Sequence, residues 1–114
     1  MFKNDKGRTV YVDTKSIVKK GGHVFYSLLT NLSVQQGFEI NNVSYRWLSY
    51  ILYIKVDCSY FRYKILRKRF FERPTGNGRV TYIDNKEQKW VFLTTKSYFF
   101  KPFNFSCKYA KGMK

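Results

Sequence analysis

Apolar and polar residues alternate over short stretches of this chain, and runs of β-branched and aromatic side chains separate its turns. This pattern favours strands over helices. Short strands are predicted at Thr9–Val12 and Val24–Leu29, with the Gly21-Gly22 pair as a tight turn before the second. Residues 16–20 are expected to form a short link or helical turn between two neighbouring antiparallel strands.

Two longer strands are predicted in the middle of the chain. The polar stretch 33–43 is interpreted as a loop, and Tyr45–Asp57 follows as a central strand. Tyr60–Phe71 is predicted as the next strand, and the short connection indicates a hairpin or a sharply bent pair. Its alternation changes phase at Leu66-Arg67, which predicts a β-bulge or a bend.

The last third of the chain begins with its clearest loop, at residues 73–78. We predict a hairpin from Val80–Ile83 and Trp90–Leu93. Aromatic residues spaced by four in 97–107 predict a short helix, and Pro102 is expected to kink it. The predicted fold class is mainly β (α+β), with a bent antiparallel sheet of about six strands and a short C-terminal helix.

Length and charge limit the classes of partner. The 114 residues predict a single domain, 1–114, in which 1–8 and 109–114 are interpreted as loose ends. The net charge of +15 suits nucleic acid, a membrane surface or an acidic polysaccharide, and it does not choose among them. No apolar run reaches the roughly 20 residues that a transmembrane helix needs.

The second long strand carries the candidate binding surface. Six cations lie in it or just after it: Arg62, Lys64, Arg67, Lys68, Arg69 and Arg73. Aromatic residues lie between them, so rings can stack on bases while the cations hold phosphates. Sulfated glycans would suit the same surface. The alternative is an ordinary solvated strand face.

The acidic residues and the single histidine give little support to catalysis. Asp13 and Ser16 are predicted to cap the turn at residues 16–20. His23 has no neighbour in the sequence that suggests a triad, and the chain lacks a Cys-x-x-Cys motif that would suggest zinc. We therefore predict that the protein is not an enzyme and binds no metal or other cofactor.

Three further residues are assigned structural roles. Trp90, like the aromatic residues of the tail, is predicted to pack in the core. Cys58 and Cys107 are either two buried free thiols or the two ends of a disulfide. Such a bridge would close a loop of about 50 residues and stabilise the fold by about 4 kcal/mol.

An ordered set of landmarks runs along the chain, although none of them is specific alone. They are Tyr11-Val12-Asp13-Thr14-Lys15-Ser16-Ile17, the turn at 19–24, Val56-Asp57-Cys58, Arg62-Tyr63 leading to Phe70-Phe71, Gly76-Asn77-Gly78, Trp90 and Cys107. In this order, over roughly residues 9 to 108, the chain resembles the surface-adhesin protein E family of exported proteins of Gram-negative bacteria.

The resemblance implies a compact antiparallel β domain with a C-terminal helix and one disulfide, Cys58–Cys107. Family members are secreted, periplasmic or surface proteins, and the best known are adhesins that bind host matrix proteins. The resemblance therefore implies a non-enzymatic interaction protein outside the cytoplasm. Its partner would be a protein or an acidic polysaccharide at the cell surface. The individual ligand is not implied, and a homodimer is left open.

Two departures from the family keep an alternative open. This sequence shows no signal peptide and starts only ten residues before Tyr11, so we expect that its N-terminus is truncated. Its tail is bulky and basic where relatives have small and acidic residues. The alternative is a cytoplasmic nucleic-acid-binding module that uses the basic-aromatic strand 60–73 and has two free thiols.

Overall fold

A computed structural model describes residues 2–3 and 8–112, and its main element is one antiparallel sheet. The strands are β1 Phe2–Lys3, β2 Arg8–Lys20, β3 His23–Ile40, β4 Val43–Asp57, β5 Arg62–Phe71, β6 Val80–Asp84 and β7 Val91–Phe92. Strands β1 to β6 are neighbours in chain order, and β7 also pairs with β5. The helix α1, Phe100–Lys111, follows. The predicted fold class is confirmed.

The core lies on one face of this sheet. Alternate residues of β3 are buried, including Leu28, and Leu28 lies opposite the buried Leu52 of β4. Phe103 and Ala110 of α1 are buried in the same cluster. We call this side the helix-covered face. The opposite side, which carries Ser27, Leu29, Ile51 and Tyr53, is called the open face.

The loop predicted at residues 33–43 is wrong. Strand β3 continues to Ile40, and β4 begins at Val43. Asn41 and Asn42 have φ angles of 51° and 66°, as the two-residue turn of a tight hairpin requires. Much of this hairpin is exposed on both faces, so burial does not impose an alternating pattern that the sequence could reveal.

The link or helical turn expected at residues 16–20 is also wrong, because β2 continues through it. The register of β2 against β3 shifts between Asp13 and Val18, which marks a bulge. The Ser16 hydroxyl donates to the Asp13 carbonyl over 2.6 Å and accepts the backbone N–H of Ser27 over 2.8 Å. Asp13 and Ser16 thus hold a bulge, and they do not cap a helix.

Replacing Ser16 with alanine is expected to lower the free energy of unfolding by about 1–2 kcal/mol, because the N–H of Ser27 loses its acceptor. Denaturant unfolding measures the change. The matched control is Thr14→Ala, at an exposed position of the same strand, which should cost less than about 0.5 kcal/mol. Equal costs for the two variants would show that Ser16 does not hold the bulge.

Strand β5 contains the β-bulge that the change of phase predicts. Tyr53 lies opposite Arg67, and Ile54 lies opposite Ile65, so Leu66 is the extra residue. The hairpin predicted from 80–83 and 90–93 is wrong, however. Both segments pair with β5, at opposite ends, because the chain runs along the same edge through residues 85–90.

The tail forms an uninterrupted helix, so the expected kink at Pro102 is wrong. Pro102 lies in the first turn, where a backbone N–H has no acceptor within the helix. Cys107 of α1 is bonded to Cys58, which follows β4, with 6.0 Å between the Cα atoms. The disulfide that the resemblance implied is therefore confirmed.

The two ends that were interpreted as loose are described only in part. Arg8 begins β2, and residues 109–111 belong to α1, where Ala110 is buried. Residues 1, 4–7 and 113–114 lie outside the described residues.

Candidate functional site

The bulge in β5 decides which of the predicted basic residues share a face. Arg62 and Lys64 lie opposite open-face residues of β4. The extra residue Leu66 then resets the alternation, so Arg67 and Arg69 lie on the open face as well. Without the bulge, the pleat would turn these last two side chains to the other side of the sheet. Four of the six predicted cations therefore lie on the open face.

The other two cations lie elsewhere. Lys68 is opposite Leu52 on the helix-covered face, where it lines a pocket of about 240 Å³ beside Tyr98. Arg73 follows the end of β5, and its exposed side chain lies 3.9 Å from the Glu72 carboxylate. The six predicted residues therefore do not form one surface.

Two of the open-face cations are neutralised by carboxylates. Arg62 donates to Asp57 over 3.0 Å, and Lys64 donates to Glu87 over 2.9 Å. Burial of Asp57 would raise its pKa, but hydrogen bonds from Arg62 and from backbone N–H groups of the turn outweigh burial and hold the pKa below its usual range. The hydrogen bond and charge of Lys64 lower the pKa of Glu87. Both carboxylates are thus ionised at neutral pH.

Arg67 and Arg69 differ from that pair because no carboxylate of residues 2–3 and 8–112 lies within 4.0 Å of them. The Arg67 guanidinium lies 4.1 Å from the ring centre of Tyr53, and that of Arg69 lies 5.8 Å from the ring centre of Phe71. The attraction between a guanidinium and a ring orients the cation, and a guanidinium held in this way can still donate hydrogen bonds from its edge to an anion.

An apolar groove crosses the open face beside these arginines. It has a volume of about 330 Å³, and Tyr11, Leu29, Ile51 and Tyr53 supply much of its lining. The groove thus brings aliphatic and aromatic surface next to cations, a combination that suits a macromolecular partner.

The loop that follows β5 folds over one end of the open face. Ser49 donates its hydroxyl to the Arg73 carbonyl over 2.6 Å and accepts the N–H of Gly76 over 3.0 Å. The N–H of Thr75 donates to the Asn31 side chain over 2.7 Å. These bonds fix one boundary of the candidate surface.

Trp90 lies at the other end of the open face, outside the buried core cluster and contrary to the prediction. Three cations surround its ring: Arg62 at 4.5 Å, Lys64 at 4.9 Å and Lys55 at 5.8 Å from the centre. The cause is the pairing of β7 with β5, which brings the residue before β7 over the open face. Phe103, by contrast, is buried as predicted.

Sequence reasoning missed the contribution of β4 to this site. Tyr53 stacks under Arg67, and Lys55 approaches Trp90. The alternation of Ile51, Tyr53 and Lys55 in the sequence places these three on one face of a strand, and this was the available signal.

Other kinds of site find no support in the described part of the chain. Among residues 2–3 and 8–112, no three His, Cys, Asp or Glu side chains are grouped to hold a metal ion. In the same residues, no helix has the length and apolarity that crossing a membrane requires.

A sequence model of the surface-adhesin protein E family matches residues 1–108. The chain belongs to this family. Solved structures of Haemophilus influenzae protein E share the fold. Crystal form II has a TM-score of 0.72 and 17% identity, over 87% of this chain and 80% of that chain. A second structure has a TM-score of 0.70 and 19% identity, over 92% of this chain and 82% of that chain. No curated protein matches the chain.

Membership in a surface-adhesin family confirms the resemblance and the prediction of an adhesin-like interaction protein. It places the protein among proteins of the cell surface. It gives no support to the cytoplasmic nucleic-acid-binding alternative.

Proposed function

We propose that this protein is a non-enzymatic binding protein, displayed outside the cytoplasm on the outer surface, that holds an acidic partner against the open face of its sheet. The partner is an acidic protein or polysaccharide of another surface. One observation carries the proposal: the guanidinium groups of Arg67 and Arg69 lie over aromatic rings beside an apolar groove, and no carboxylate of the described residues lies within 4.0 Å of either.

The chemistry of this surface divides into two parts. The guanidinium groups of Arg67 and Arg69 can each donate two parallel hydrogen bonds to a carboxylate or sulfate. The groove lined by Leu29 and Ile51 adds contact area that does not depend on charge. The net charge of +15 speeds the approach of an anionic partner and makes binding sensitive to salt.

The disulfide supports a location outside the cytoplasm, because such bonds form and persist in oxidising compartments. Three carboxylates on the open face support a binding role over catalysis. Asp57 and Glu87 are both engaged in ion pairs. Asp13, which lines the groove, accepts the backbone N–H of Lys15 over 3.0 Å at the bulge of β2.

We predict that the double variant Arg67→Ala/Arg69→Ala loses about tenfold in affinity for an immobilised sulfated glycan or an acidic protein, because it removes the charge-assisted hydrogen bonds. Retention is measured over a salt series. Two arms, one with each probe, identify the partner class.

The matched control for this experiment is Lys68→Ala/Lys108→Ala, which removes the same charge from the helix-covered face and from α1. It should change retention by about twofold or less, since neither lysine lies on the open face and their longer-range attraction is screened by salt. Equal losses for the two double variants would show that binding follows overall charge, and the open-face assignment would then be wrong.

A further inference from the structure

A second surface lies at the end of the sheet where β4 turns into β5. Tyr60 and Phe61 of this turn are 69% and 56% exposed, and Phe92 of β7 is 72% exposed. Val91 beside it is also exposed. The N–H of Leu93 donates to the Phe61 carbonyl over 2.7 Å, so turn and strand are joined. We call Tyr60, Phe61, Val91 and Phe92 the aromatic tip.

The backbone conformation at position 61 of this turn is unfavourable for phenylalanine. Phe61 has a φ of 51°, in the left-handed region where glycine or asparagine is preferred and a bulky side chain is strained. Its ring stacks on Phe103 at 6.1 Å, which gives it some structural value. Tyr60 and Phe92 bury little, so folding does not account for them, and a cluster of exposed apolar residues indicates an interaction site.

Cations lie at the same end of the sheet as the aromatic tip. The Arg62 guanidinium lies 5.5 Å from the Tyr60 ring centre and 4.5 Å from that of Trp90. Lys20 is paired with His23, at the same end of the sheet, and Lys89 directly precedes Trp90. The two carboxylates at this end, on Asp57 and Glu87, are already held in ion pairs.

We propose that the aromatic tip docks on a lipid bilayer that carries anionic headgroups. Tyr60, Phe61 and Phe92 enter the interfacial layer, where aromatic rings are favoured, and Lys20 and Lys89 at the same end of the sheet meet the lipid phosphates. Charge complementarity selects this partner. The chain carries a net charge of +15, and the two carboxylates at this end of the sheet, on Asp57 and Glu87, are already in ion pairs. The site is separate from Arg67 and Arg69 and does not depend on the open-face proposal.

The test uses the 114-residue protein with vesicles of phosphatidylcholine alone or mixed with phosphatidylglycerol. We expect co-sedimentation with the mixed vesicles only, and weaker binding as salt rises. The chain has two tryptophans, so Trp47→Phe leaves Trp90 as the single indole reporter beside the tip. Its emission should shift to shorter wavelength when the anionic vesicles bind.

The decisive variant is Tyr60→Ser/Phe92→Ser, which keeps every charge. Its partitioning onto anionic vesicles should fall about tenfold or more. The control, Val34→Ser/Val43→Ser, changes exposed apolar residues in the hairpin at the opposite end of β3 and β4, and it should bind as the parent does. Circular dichroism verifies that both variants fold.

Several results would overturn the proposal. They are no vesicle binding, equal binding to neutral vesicles, or equal losses in the two serine pairs. If Arg67→Ala/Arg69→Ala lowered vesicle binding and Tyr60→Ser/Phe92→Ser did not, lipid binding would belong to the open face. Conversely, failure of glycan or protein binding at the open face leaves the vesicle result unaffected, so the two proposals fail separately.

Discussion

Replacing both Cys58 and Cys107 with serine is expected to lower the free energy of unfolding by about 4 kcal/mol and the melting temperature by about 15 °C. The bridge spans 49 residues of sequence and links the end of β4 to α1. Its removal allows the unfolded chain many more conformations, and it releases the helix from the sheet at one point. Thermal and denaturant unfolding, followed by circular dichroism, measure both quantities.

Reductant provides the control for the cysteine experiment. It should destabilise the parent protein to a similar extent and leave the Cys58→Ser/Cys107→Ser variant unchanged. Thiol titration of the unreduced parent should find no reactive thiol at these positions. A loss below about 1 kcal/mol in the variant would contradict the expectation, because loop closure alone predicts several times that value.

The second large effect is expected at Phe103, the largest fully buried side chain among residues 8–112, with 1% exposure. Truncation to alanine removes the ring that fixes α1 on the sheet and leaves a cavity among core residues such as Leu28. Similar substitutions cost about 3–5 kcal/mol, so we expect Phe103→Ala to lower the free energy of unfolding by about 4 kcal/mol. Denaturant unfolding measures the loss.

The matched control for Phe103→Ala lies on the same helix. Phe105 is 37% exposed, and Phe105→Ala should cost about 1 kcal/mol or less. Phe103→Leu, which retains much of the apolar volume, should recover part of the stability that alanine loses. If the two alanine variants cost the same, α1 is not held on the sheet through Phe103.

Strands with a strong local pattern could be predicted from the sequence. Strands β4 and β5 were both predicted, because burial of one face imposes an alternation of apolar and polar residues along the strand. The break of this alternation at Leu66 predicted the observed bulge. The cysteine pairing came only from the family resemblance, since the residues alone left free thiols open.

Features that depend on distant pairing could not be predicted in the same way. The exposed hairpin around Asn41 has no buried face to reveal its period. The position of Trp90 depends on β7 pairing with β5 in place of β6, and nothing local in the sequence specifies that choice. The distribution of the cations between the two faces of β5 could, however, have been predicted from the sequence. Once Leu66 is taken as the extra residue, pleating separates Lys68 from Arg67 and Arg69.

The edge of the sheet formed by β6 and β7 affects how these molecules behave when crowded. Its outermost strand is broken into pieces of five and two residues by the segment 85–90, which contains Lys86, Glu87 and Lys89. A neighbouring molecule that tried to extend the sheet here would find no long run of backbone groups and would meet charged side chains. Fibre growth from this edge is disfavoured, so a densely coated surface can present separate copies.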